Sequence, residues 1–208
     1  NVRHLVKKYE SAGIAAISIE DKIFPKQNSL LENGTHALLS EKDFVGKIIA
    51  ANDAKQNKEF MIIARVEALI AGLGMDKAIK RARAYEKAGA DAILIHSKKH
   101  TPEEIFEFVD SWNGNLPIVV VPTNYGTVKI DELIQHKIKM TIYANQTLRA
   151  AHAAITRTLN EMIKVESMNE IKEKISSMED IFQLQEMYDL KTHDAALEEK
   201  YKKLGYDS

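Results

Sequence analysis

The 208-residue chain carries 29 basic against 30 acidic side chains, a net charge of −1 that leaves no basic excess to neutralise nucleic-acid phosphates. Its 45% apolar and 28% charged residues are ordinary for a globular domain, and no apolar run reaches the ~20 residues that span a bilayer. It contains no Cys, which rules out disulfides and thiolate metal sites and fits a cytoplasmic protein.

Helical periodicity begins at once, with Val2, Leu5, Val6 and Tyr9 apolar over Val2–Ser11 and Gly13 placed as a C′ glycine. A start at Asn1 inside such a pattern reads as internal to a longer chain. Ile14–Ile19 is a short apolar strand, and a polar loop follows. Ser40 with Asp43 resembles a capping box and opens a helix expected to run to about Asn57. Phe60–Val66 is a strand, Asp76–Ala88 a helix ended by Gly89, and Ala92–Ile95 a strand. Thr101 as N-cap and Pro102 at the first helical position start the next helix. Strand Ile118–Val121, helix Asp131–His136 and strand Met140–Tyr143 complete the alternation. Helices follow over Thr147–Val165, Met168–Ile175 and Met178–Tyr188, and Lys191–Ser208 reads as a charged, poorly patterned tail.

Strands rich in Ile and Val on both faces imply a buried parallel sheet with helical crossovers. No G-x-G-x-x-G fingerprint follows the first strand, so a dinucleotide fold has little support. Five βα units with short linkers fit a (β/α)₈ barrel of the TIM type, here strands 4–8, with about three units ahead of Asn1. The expected domains are residues 1–190, the C-terminal part of one barrel with its helical extension, and a tail over 191–208.

Catalytic groups of such barrels sit at the C-terminal strand ends. Those positions hold Glu20 with the loop Asp21–Ser29, Arg65 with Glu67, His96 with Ser97, Thr123 with Asn124, and Tyr143 with Asn145. Arg, Lys, His and amides suit an anionic substrate, and a carboxylate suits a divalent cation. Arg65 interrupts a buried run and needs a partner there. Glu20 alone reads more often as a salt-bridged loop residue than as a metal ligand, and Lys98–His100 as a solvated loop. His4, His36, His136 and His152 show no acidic or hydroxyl partner pattern and read as bystanders, with Trp112 packed behind a helix. The loop Lys22–Leu39, with a turn signal at Asn33-Gly34 and Lys26, Asn28 and Ser29 near its start, reads as a lid.

The runs E-D-K-x-F-P-K-x-N-S, A-R-V-E-A and A-D-A-I-L-I-H-S together resemble the phosphoenolpyruvate mutase branch of the isocitrate lyase superfamily, over nearly the whole chain. The resemblance implies a Mg²⁺-dependent (β/α)₈ barrel whose eighth helix is exchanged between subunits of a dimer or dimer of dimers. Lyases of the superfamily carry a K-K-C-G-H-type loop with an acidic Cys; P-K-Q-N-S here argues against C–C lyase chemistry. Hydrolases acting on phosphonopyruvate usually have Thr where the mutases have Asn, and Asn28 tilts the choice to the mutase. The implied reaction interconverts phosphoenolpyruvate and 3-phosphonopyruvate. By the same resemblance Arg65 and His96 hold the phosphoryl group, Asn28 and Ser29 contact it from the lid, Lys26 secures lid and substrate, and Glu20 meets Mg²⁺ through water. The aspartates that bind Mg²⁺ directly would lie on strands preceding Asn1. Phosphonopyruvate hydrolase and a non-catalytic subunit stand as alternatives.

Overall fold

The structure, a computed structural model, describes residues 1–31, 34 and 36–206. It divides into two compact units, Asn1–Ala144 and Asn145–Ser208.

In the first unit, helices and strands alternate as α1 (Val2–Ser11), β1 (Ala16–Glu20), α2 (Glu41–Asn52), β2 (Met61–Val66) and α3 (Met75–Lys87). They continue as β3 (Ala92–Ile95), α4 (Glu103–Ser111), β4 (Ile118–Val120), α5 (Ile130–Gln135) and β5 (Met140–Thr141). The strands pair in parallel in sequence order, β1-β2-β3-β4-β5. One-step parallel crossovers of this kind are the (β/α)₈ pattern.

Strand alternation divides the core between the two sheet faces. Ala64, Val66, Ile93, Ile95, Ile118 and Val120 pack in one cluster with the helix residues Phe44, Ile48, Tyr85, Ile105 and Phe108. Ile63, Ala92, Leu94, Val119 and Val121 form a separate cluster. Arg65 shares the strand parity of Ile63, and His96 that of Leu94, so both polar groups sit on this second face just past its apolar layer. Glu20 is the register partner of Arg65.

The local signals explain most boundaries. Ser40 caps α2, accepting from the Asp43 amide at 3.1 Å and donating to Asp43 Oδ2 at 2.6 Å, an arrangement that stabilises a helix start by about 1 kcal/mol. α2 stops at Asn52, short of the expected Asn57: the Asn52 amide donates to Ile48 O at 3.1 Å and to Gly89 O at 2.7 Å. Gly89 has φ +94° there, and a Cβ on it would come within 3.0 Å of the Asn52 side chain. At α4 the cap differs from expectation. Pro102 rather than Thr101 takes the N-cap position, without a side-chain hydrogen bond, since a proline side chain carries no polar atom to cap with. Trp112 packs beside the helix-side core as expected and donates to Leu116 O at 3.1 Å.

The second unit contains α6 (Gln146–Met162), a 3₁₀ helix over Met168–Lys174, α7 (Met178–Leu184) and α8 (Met187–Lys203). Ser167 and Ser177 each form a capping box. The expected charged tail is helical from Lys191 as far as Lys203. Leu190, Leu197 and Tyr201 stay exposed along it, so no buried stripe was needed to form this helix and no periodic signal announced it.

Candidate active site

The stem of the loop after β1 is fixed to the scaffold. Asp21 N donates to Arg65 O at 3.3 Å, Leu39 N to Asp21 O at 2.8 Å, and Ile23 N to Ala37 O at 2.9 Å. Asp21 is fully buried; its Oδ1 accepts from the Glu67 amide at 2.9 Å and its Oδ2 from Tyr85 Oη at 2.7 Å and Arg81 Nη1 at 3.1 Å. Burial pushes this carboxyl up, against the Tyr85 hydrogen bond, the Glu67 amide and the Arg81 charge. Burial likewise raises the Tyr85 phenol. Asp21 is therefore a structural anchor joining loop, β2 and α3.

Above this stem lies a buried charged cluster. Glu67 Oε1 accepts from Arg65 Nε at 2.7 Å, and its Oε2 lies 3.1 Å from Lys22 Nζ and accepts from Ser29 Oγ at 2.5 Å. Lys22 Nζ donates to Ser29 Oγ at 2.6 Å and to Gln27 O at 3.1 Å, and lies 3.5 Å from Glu20 Oε1. Arg65 Nη2 reaches Ser29 Oγ at 3.1 Å. Burial pushes the Glu67 carboxyl up, but the His96 hydrogen bond and the Arg65 and His96 charges outweigh it and hold the carboxyl well below the usual range.

His96 Nδ1 stands 3.0 Å from Glu67 Oε1 and 2.9 Å from Arg65 Nη2. A carboxylate only accepts and a guanidinium only donates, so one nitrogen cannot serve both at once. A protonated Nδ1 donates to Glu67; a bare Nδ1 accepts from Arg65. The first setting, as an imidazolium, also leaves Nε2–H as a donor. Arg65, a quarter exposed, commits Nε and Nη2, which leaves its Nη1 donors for an anion.

The expected residues are distributed as follows. Ser29, Arg65 and His96 meet in the cluster around Glu67. Lys26 is exposed, its Nζ 3.5 Å from Glu20 Oε2 and 3.4 Å from Glu20 O. Asn28 is exposed, its Oδ1 accepting from Leu30 N at 2.9 Å. Asn124 Nδ2 donates to Lys98 O at 3.0 Å, and Ser97 is tied to Glu104. Tyr143 is exposed. Half of the turn signal, Asn33, lies outside the described residues.

Sequence reasoning missed the part played by Lys22 and Glu67 at the centre. A lysine and a glutamate beside strand ends carry no mark of burial; only the three-dimensional convergence shows it. Of the histidines read as bystanders, His136 has an acidic neighbour that the sequence pattern did not show. His136 stacks on Phe106 with ring centroids 3.8 Å apart and places Nδ1 3.1 Å from Asp110 Oδ1. His36 keeps both ring nitrogens buried, and burial followed by the Lys22 and Lys98 charges lowers its pKa.

Among the described residues, no group of three or more His, Asp or Glu side chains is arranged to hold a metal ion. Glu20 offers one carboxylate, already faced by Lys22 and Lys26 at 3.5 Å each. That donor set does not fit a direct Mg²⁺ cage.

The parallel βα scaffold of the (β/α)₈ type thus carries a largely buried Arg–His–Glu–Lys cluster at its C-terminal strand ends, where barrels of this type place their sites. The family model described as phosphoenolpyruvate phosphomutase matches residues 1–163, and the chain belongs to that family. It is 44% identical over 194 residues to phosphoenolpyruvate phosphomutase of Tetrahymena pyriformis, covering 93% of this chain and 65% of the relative. It is 45% identical over 186 residues to phosphonopyruvate hydrolase of Variovorax sp. (strain Pal2), covering 89% and 64%. The solved phosphoenolpyruvate phosphomutase from Streptomyces platensis subsp. rosaceus superposes with a TM-score of 0.90 at 43% identity, over 93% of this chain and 67% of that one. Phosphonopyruvate hydrolase in complex with oxalate and Mg²⁺ gives 0.85 at 41% identity, over 93% and 66%. The chain thus spans just under two thirds of the length of these curated relatives. No described helix is long and apolar enough to cross a membrane.

Proposed function

We propose that the whole protein is a phosphoenolpyruvate mutase, interconverting phosphoenolpyruvate and 3-phosphonopyruvate. The P–O bond to the C2 oxygen breaks and a P–C3 bond forms; the transfer is intramolecular and consumes no water, proton or second substrate. Family membership supports this reading, and the observation that carries it is the docking of Ser29, the residue after Asn28, against Glu67 and Arg65.

In this mechanism Arg65 offers its Nη1 donors to the phosphoryl oxygens, and His96, oriented by Glu67 through Nδ1, offers Nε2. Both act on charge that spreads over the oxygens as the phosphoryl group loosens. The loop excludes water while Asn28 meets the group in transit. Lys26 secures the loop at Glu20. Ser29, its oxygen shared among Glu67, Lys22 and Arg65, serves this chemistry chiefly by docking the loop. Mg²⁺ belongs to the proposal as the cofactor that would neutralise substrate charge, with Glu20 facing it through water and its direct ligands supplied by residues other than those described. A homo-oligomer, dimer or dimer of dimers with an exchanged helix, is part of the same reading. The exposed Leu148, Ile155 and Leu159 of α6 support it. So is a cytoplasmic location, which the cysteine-free composition fits.

Hydrolysis of phosphonopyruvate is the second reading, favoured by the 45% identity to a hydrolase. Product analysis separates the two: an isomer of the substrate means mutase, and pyruvate with inorganic phosphate means hydrolase.

A further inference from the structure

Lys22 is only 2% exposed, yet its ammonium is the most heavily shared cation of the site. It lies 3.1 Å from Glu67 Oε2 and 3.5 Å from Glu20 Oε1, both scaffold carboxylates, and donates to Gln27 O at 3.1 Å and Ser29 Oγ at 2.6 Å, both on the loop. A desolvated ammonium is tolerated only with such a full set of partners. The two loop contacts flank one residue, Asn28. Among the described residues, the side chain of Asn28 bonds none of the cluster; its Oδ1 accepts from Leu30 N at 2.9 Å. Its position is therefore set by its neighbours, and both neighbours are held by the same nitrogen.

We infer that Lys22 is a positioning residue: by pinning Gln27 and Ser29 to Glu67, it fixes Asn28 and seals the loop, and so determines whether the phosphoryl group reaches carbon or escapes to water. This rests on the mutase reading for its chemical consequence and on geometry alone for the latch. Release of the ammonium would leave Ser29 with Glu67 and Arg65 but remove its bond to the Gln27 carbonyl, loosening the loop around Asn28. Water then competes: it adds to phosphorus, the C–P bond of phosphonopyruvate breaks, and C3 of pyruvate takes the proton.

The test compares Lys22→Met, Ser29→Ala and the double variant in the whole protein. Hydrogen–deuterium exchange should rise by about 10-fold or more at the amides of Gln27–Leu31, while β1–β3 stay protected. With phosphonopyruvate and Mg²⁺, kcat for the rearranged product should fall on the order of 10-fold with KM little changed, and the share of inorganic phosphate should grow. The double variant should lose less than the sum of the two single losses, because the Lys22–Ser29 contact is common to both. Unchanged loop exchange in Lys22→Met and in Ser29→Ala overturns the latch. So does exchange that rises equally across β1–β3, which would make Lys22 a core residue only. A loosened loop with an unchanged product ratio overturns the control of partition. If the unsubstituted protein makes neither product, the mutase reading falls, and the exchange measurement still decides the latch.

Discussion

Ser29 Oγ donates to Glu67 Oε2 at 2.5 Å, joining the loop after β1 to the end of β2 across 38 positions of sequence. This contact ties the polar loop to the carboxylate that also receives Arg65 and His96.

Asn28, the residue before the docked Ser29, is proposed to meet the phosphoryl group. Replacing it with Ala should lower turnover on the order of 10²-fold or more, as for loss of one donor aimed at developing charge, with much less effect on substrate affinity. Steady-state kinetics with phosphonopyruvate checks this. Near-normal turnover in the variant would remove Asn28 from the chemistry.

Glu67 is fully buried and balances both Lys22 and Arg65. Glu67→Gln leaves two cations short of a partner and should cost about 3–5 kcal/mol of stability, read from denaturant unfolding. The sign with pH follows from its depressed pKa: the carboxylate contributes fully above its ordinary value of 4.5 and is lost only as pH falls toward the lowered one. The native protein should lose this contribution in acid, and the Gln variant should show a flatter acid limb.

His36 makes the opposite linkage. Its pKa lies below its ordinary 6.5 through burial and then the Lys22 and Lys98 charges, with Glu67 opposing. The docked loop thus favours neutral imidazole. Above about pH 7 the residue has no effect on docking; as pH falls through 6.5 protonation increasingly opposes it. Loop amide exchange should accelerate toward about pH 5.5, beyond the intrinsic change of exchange rate with pH, and His36→Gln should abolish that acceleration.

Ser40→Ala removes the α2 cap and should cost about 1 kcal/mol in thermal or chemical unfolding. Because the Ser40 side chain bonds Asp43 of its own helix, product ratios should stay unchanged. A shift in those ratios would mean that α2 communicates with the loop.

The sheet was legible because Ile and Val runs such as Ala92–Ile95 are buried on both faces and punctuated by Gly13 and Gly89 at positive φ. Arg65 and His96 were legible for the same reason: each interrupts or ends an apolar run, where only a polar task justifies it. Lys22, Glu67 and His36 were not. Their types are common in loops, and their burial depends on a chain reversal that brings Ser29 back to β2. α8 escaped notice because its apolar side chains remain exposed, leaving no period to read.

The most direct measurement is ³¹P NMR of the whole protein incubated with phosphonopyruvate and Mg²⁺. The phosphonate resonance should give way to that of phosphoenolpyruvate, with little inorganic phosphate. Inorganic phosphate as the sole new signal would contradict the mutase reading in favour of hydrolysis, and an unchanged spectrum would contradict both.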